Sequence, residues 1–255
     1  MYEIFKRSFR AEHEFMLMPA LSAVIGHATG ETTRSQFVEF VRQRDAAGDL
    51  EVDAAGYNYL YADVLLDLDS HARFILTIRD CFSWLNSCIG LLRDDFYRNE
   101  KSEFIGSFIN NANHVPDGTV TWTSRPRGKV CLKQLMKMWT AANTSLLHRI
   151  PTERLLVLRT DDLSHSIPAI AEFVGVPESD LDADHANKGG GVNLLGSFDG
   201  ERLERLVSSH CGDLMAAMFP DVNLANFMPD GRTPTVSDRA AVRKAFSLER
   251  FVAIE

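Results

Sequence analysis

Residues 73–87 read RFILTIRDCFSWLNS, and this stretch decides the fold. Phe74 to Ile78 is a short, continuous run of apolar and β-branched residues, the pattern of a strand buried on both faces. It runs straight into Arg79, and a helix-like segment follows at once. An arginine at the mouth of a parallel strand can clamp a phosphate through two N–H donors. The plainer alternative pairs Arg79 with Asp80 or Asp161. Ser87 can meet the same anion only if the chain turns back immediately after the strand. Otherwise it is a serine on a helix surface.

Working outward, the same alternation of strand and helix recurs. Ile4, Phe5 and Phe9 at helical spacing open the chain inside a helix. Phe37, Val38, Phe40 and Val41 predict another, capped by Ser35 and ended by Ala46-Ala47-Gly48-Asp49. Leu50 to Asp53 is a short strand, and Leu60 to Leu68 a helix packed on one face. Leu132 to Leu146 carries a helical stripe, and RLLVLR at 154–159 is a further strand. Ser166 with Pro168 starts a helix through Ile170 and Val174. Residues 201–218 form a strongly amphipathic helix, and a last helix is expected near 238–251. Near-continuous apolar strands separated by helices argue an α/β fold, three layers deep, with a parallel sheet covered on both faces. Ligands in such folds bind beyond the carboxyl ends of the strands. Asp53, Arg79 and Arg159 to Asp162 all fall there.

The chain of 255 residues suits one domain, 1–255. Residues 93–127 are polar and poorly periodic, an insertion or lid, and 221–255 form a C-terminal extension. The formal net charge of −8 is the wrong balance for wrapping nucleic acid, so an anionic ligand needs a local basic cluster. Cys81, Cys88, Cys131 and Cys211 form no CxxC pair, which argues for buried free thiols rather than a zinc site. With no long apolar run and no signal-peptide core in MYEIFKRSFRAEHEF, a cytoplasmic protein without a membrane partner is expected.

RFILTIRDCFSWLNS resembles the strand and helix that bind the 3′-phosphate in sulfotransferases using 3′-phosphoadenosine 5′-phosphosulfate (PAPS). In that family a strand ends on arginine and a serine follows eight positions later, as Arg79 and Ser87 do. ERLLVLRTDDL at 153–163 and the following SHSIPAIAEFVGVPESDL resemble the next landmark. Asn187-Lys188-Gly189 is similar to the late loop that closes over the 3′-phosphate. The resemblance runs from about Asp49 to Pro220. It implies a P-loop nucleotide-hydrolase-like sulfotransferase fold, with PAPS as co-substrate and no metal. Arg79, Ser87, Lys188 and Gly189 would bind the nucleotide. The acidic pair Asp161-Asp162 lies, in the family, in a structural strand-to-helix turn. The aromatic that often precedes it is Thr160 here, so adenine stacking must come from elsewhere.

Sulfuryl transfer needs the acceptor hydroxyl or amine to lose a proton as it attacks sulfur. The resemblance places the base just past the second strand, in LEVDAAGYNY. No histidine occurs there, so Asp53 is the first choice and Glu51 the second, both on one face by strand alternation. The plainer role for Asp53 is to cap the helix near Asn58. His71 lies at the wrong end of its strand, and His114 in the lid is held in reserve. The acceptor would be a small molecule or a carbohydrate.

The family's 5′-phosphosulfate loop, a first strand followed by a Lys/Arg-Ser-Gly-Thr-Thr type turn, would come before MYEIFKRSF, which looks like the helix after that loop. AVIGHATGETTRS at 23–35 does not replace it: Gly26 to Gly30 is too short for a Walker loop, and Glu31 stands where a lysine is needed. It is expected to be an ordinary turn. Either the natural chain extends upstream and is an active sulfotransferase, or this chain is an inactive nucleotide-binding or interaction module. A P-loop-type small-molecule kinase is the remaining alternative.

Overall fold

The continuous apolar run FILTI is explained by packing on both of its faces. The computed structural model of the chain describes residues 1–93, 132–182, 195 and 199–227. With the described elements numbered in chain order, β3 (Phe74–Ile78) and β4 (Leu155–Arg159) pair in parallel, with Ile75 opposite Leu156, Leu76 opposite Val157 and Ile78 opposite Arg159. Successive side chains point to opposite faces. Leu76, Ile78, Leu155 and Val157 pack into a core shared with α5 (Cys81–Arg93), α6 (Leu132–Arg149) and α8 (Gly200–Met218). Ile75, Leu156 and Leu158 face the other way, onto α1 (Tyr2–Phe5) and α7 (Ile167–Val174). Helices thus cover this sheet on both faces, the three-layer α/β arrangement that the sequence predicts.

The parallel sheet comes in two pieces. β1 (Ala11–His13) and β2 (Val52–Ala54) form a second parallel pair, with Glu12 opposite Asp53 and His13 opposite Ala54. Among the described residues no ladder joins β2 to β3. Both pairs nevertheless lie on the same apolar layer, since Ala11 and Val52 pack with Ile75 and Leu156 against α1 and α7. β1 escapes sequence analysis because Ala-Glu-His has no apolar periodicity. β2 lies slightly later than Leu50 to Asp53, because Glu51 and Val52 both donate their N–H to Arg10 O and steer the chain into the strand.

A third core joins α2 (Leu17–Ala28), α3 (Arg34–Gly48) and α4 (Ala62–Leu68) through Leu21, Val24, Phe37, Val41, Tyr61 and Val64. Two expectations change here. The helix α2 runs through Ala23-Val24-Ile25-Gly26-His27-Ala28, so only Thr29 to Thr33 is turn. Thr33, not Ser35, caps α3: its hydroxyl accepts from Gln36 N–H at 3.3 Å, and Gln36 Oε1 accepts from Thr33 N–H at 2.9 Å. This is the capping box of Thr-x-x-Gln, and it leaves Ser35 inside the first turn. Ser166 stands at the start of α7 as expected, but its hydroxyl donates back to Asp162 O at 2.8 Å. Asp199 caps α8, whose buried stripe is Leu203, Val207, Cys211, Leu214 and Met218. The lid at 93–127, apart from Arg93, the 221–255 extension beyond Phe227, the helix near 238–251, Cys131, His114, Lys188 and Gly189 lie outside the described residues. Among the described residues, no helix is long and apolar enough to cross a membrane.

Candidate functional site

The turn from β3 to α5 is tight. β3 ends at Ile78 and α5 begins at Cys81, so the chain reverses within two residues, Arg79 and Asp80. Two bonds hold the reversal. Asp80 Oδ1 accepts from Ser83 N–H at 2.8 Å, capping α5. The indole N–H of Trp139, itself 1% exposed, donates to Arg79 O at 3.0 Å. Burial raises the Asp80 carboxyl above its ordinary value, despite the bonds from Ser83. On α5, Cys81, Phe82, Leu85 and Ile89 turn into the core. Asp80, Ser83 and Ser87, three and four residues apart, share the other, less buried side.

Arg79 is half-buried at the carboxyl end of β3. Its charge acts on Cys88, next to Ser87, opposing the burial that pushes that thiol up to about 12. Among the described residues no carboxylate forms an ion pair with Arg79, whereas Arg44 and Arg159 are both so engaged.

At the end of β4, Arg159 grips two carboxylates. It donates to both oxygens of Asp161, at 3.1 and 2.8 Å, and to both oxygens of Asp221, at 2.7 and 3.1 Å. Its guanidinium also lies 4.7 Å from the centre of the Phe219 ring. The Arg159 bonds hold the Asp221 carboxyl below its ordinary value against the effect of burial. Asp161 and Asp162 sit in a short 3-10 turn between β4 and α7, where Asp162 O accepts from Ser166. These contacts tie β4 to the chain beyond α8 and leave the acidic pair in a structural setting.

In the middle of β2, Asp53 faces Arg44 of α3. Arg44 Nη1 donates to Asp53 Oδ2 at 2.6 Å and Nη2 to Oδ1 at 3.1 Å. Arg44 is 4% exposed. It also donates twice to Phe15 O, at 3.1 and 2.8 Å, and once to the Tyr57 hydroxyl at 3.2 Å. Tyr57 in turn donates to Phe15 O at 2.7 Å. Burial is the largest single effect and works against the Arg44 charge, but the bond to Asp53 and the fields of Tyr61, Asp53 and Tyr57 together outweigh it, and the group titrates above its ordinary value. The turn these donors pin is unusual: Glu14 and Met16, on either side of Phe15, have φ of 55° and 52°. Non-glycine residues persist there only when their surroundings hold them. Asp53 does not cap the 3-10 turn at Asn58 with its carboxylate; its carbonyl accepts from the Asn58 amide instead, at 3.3 Å.

Glu51 lies just ahead of β2, exposed, and accepts from Arg10 N–H at 2.9 Å. Arg79 and Ser87 therefore belong to one strand–helix unit, while Asp53 and Glu51 belong to the other strand pair. His13, exposed at the carboxyl end of β1 and edge-on to Tyr2, is a titratable group at the strand mouths that sequence analysis did not place. Arg44 was also missed, although it had a signal. Phe37, Val41 and Arg44 recur at spacings of four and three, so the arginine occupies a core position and needs a buried partner.

A protein-family model described as a sulfotransferase domain matches residues 5–192, well over half of the chain. No match was found among curated proteins or among solved structures.

Proposed function

Because this chain belongs to the sulfotransferase family, we propose that it transfers a sulfuryl group from PAPS to a hydroxyl or amine of a small-molecule or carbohydrate acceptor. The observation that carries this reading is Arg79. It stands at the carboxyl end of β3, without an ion-pair partner among the described residues, on a turn fixed by Asp80 and Trp139. A half-buried cation of this kind suits a dianionic phosphate, which two parallel N–H donors can grip. Ser87, on α5 and on its less buried side, adds a hydroxyl. Lys188 and Gly189 complete the 3′-phosphate pocket in this reading.

The acceptor oxygen or nitrogen attacks sulfur as the bond from sulfur to the phosphate oxygen breaks, and 3′-phosphoadenosine 5′-phosphate leaves. The acceptor proton goes to Asp53 or, failing it, to Glu51. Arg44 bears on this role by fixing the Asp53 carboxylate through two hydrogen bonds. Each Asp53 oxygen keeps a second lone pair for the acceptor. Asp53→Asn is expected to abolish turnover and leave nucleotide affinity nearly intact. Equal loss of both would reduce Asp53 to a structural partner of Arg44.

Calorimetric titration of the 255-residue chain with 3′-phosphoadenosine 5′-phosphate, against ADP, tests the reading directly. Clear preference for the 3′-phosphorylated nucleotide supports it, and equal binding or none counts against it. That no ladder joins β1–β2 to β3–β4 among the described residues favours a second reading, a nucleotide-binding module without turnover. That module would show the same preference and no sulfuryl transfer from PAPS.

A further inference from the structure

Two thiols meet in the core between α5 and α8. Cys81, the first residue of α5, directs its Sγ–H to Cys211 Sγ at 3.0 Å, although 130 positions separate them in sequence. Their relative exposures are 0% and 1%. Each is anchored. The Cys81 N–H donates to Met215 Sδ at 3.2 Å, and Cys211 Sγ–H points to Met136 O at 3.7 Å. Both side chains are free thiols in this structure. Reaching bonding distance takes an approach of only about 1 Å.

We propose that Cys81 and Cys211 are a disulfide-forming site that joins when the protein meets a peroxide, stapling the first turn of α5 to the middle of α8. Cys211 is the attacking sulfur. The bond from Cys81 holds its thiol below the ordinary value against burial, and the Thr140 hydroxyl adds to this. Donating that bond, together with burial, pushes Cys81 up. The Cys211 thiolate attacks one peroxide oxygen, the O–O bond breaks, and the departing hydroxide takes a proton to give water. Cys211 is then a sulfenic acid. Cys81 attacks the oxidised sulfur, the S–O bond breaks, and the hydroxyl leaves with the Cys81 proton as a second water. Two thiols and one peroxide become one disulfide and two waters. Hydrogen peroxide is little larger than water, which lets it enter during a local opening of the core. The staple sits two residues after Arg79 and locks the turn that carries it. It does not depend on what nucleotide, if any, the protein binds.

The experiment treats the unmutated chain with hydrogen peroxide, denatures it, and counts thiols. Of the four cysteines, two should lose reactivity, the mass should fall by two hydrogens, and dithiothreitol should reverse both changes. Proteolysis should yield one peptide pair joining the Cys81 and Cys211 segments. The melting midpoint should rise on oxidation and return on reduction. Cys88→Ser should keep the crosslink, and Cys211→Ser should abolish it. Three results overturn the proposal: sulfinic acid at either position without a crosslink, a crosslink through Cys88 or Cys131, or unchanged thiols at a dose that fully oxidises free glutathione. Peptide mapping of the unmutated chain decides the matter even if Cys211→Ser fails to fold.

Discussion

Arg44→Ala should destabilise the protein by about 3–5 kcal/mol, the cost of removing one partner from a buried ion pair. The lower end is expected, because the Asp53 side chain keeps 22% exposure and water can reach it once Arg44 is gone. The arginine is also the common donor to Asp53, Phe15 O and the Tyr57 hydroxyl. Its loss leaves Tyr57 as the remaining side-chain donor to Phe15 O, between the left-handed Glu14 and Met16. For a chain of this size the midpoint should fall by roughly 6–12 °C, followed by differential scanning calorimetry or far-UV circular dichroism. Arg44→Lys should recover only part, since one ammonium cannot span both Asp53 oxygens. A midpoint within about 2 °C of the parent would show that the network contributes little to stability.

Arg79→Ala should act on binding and leave folding almost untouched. A charge-assisted hydrogen bond is worth about 1.5–3 kcal/mol, so affinity for 3′-phosphoadenosine 5′-phosphate should fall roughly ten- to a hundredfold. Affinity for ADP should barely change, because ADP lacks the 3′-phosphate. The melting midpoint should hold, because the turn is fixed by the Arg79 carbonyl and by Asp80 rather than by the guanidinium. Ser87→Ala, removing one neutral bond of about 1 kcal/mol, should cost roughly fivefold on the same nucleotide. Calorimetric titration with both nucleotides measures all of this. Equal loss for the two, or loss that tracks a falling midpoint, would make Arg79 a structural residue and remove the main support for the nucleotide site.

The strand Phe74–Ile78 was legible to the residue because both of its faces are buried, and so its composition is almost uniformly apolar. Leu155–Arg159 and the long helices were legible for the same kind of reason: their apolar stripes are complete. β1 was not, because in a three-residue strand of alanine, glutamate and histidine only Ala11 packs on the core and the place is held by pairing with β2. The cap of α3 was misplaced by two residues because serine and threonine are both good caps. Only the reciprocal bond with Gln36 distinguishes them.

The sequence by itself determined the α/β layering, the reversal after Arg79 and the sulfotransferase resemblance, since each rests on local periodicity or on residue type at fixed spacing. The tertiary structure alone decided who pairs with whom. Asp53 meets Arg44 across nine residues, Arg159 meets Asp221 across 62, and Cys81 meets Cys211 across 130. Such partnerships carry no periodic signal. They follow from helices and strands being brought together by their apolar faces, which leaves the polar groups at the junctions to find partners wherever the packing happens to place them.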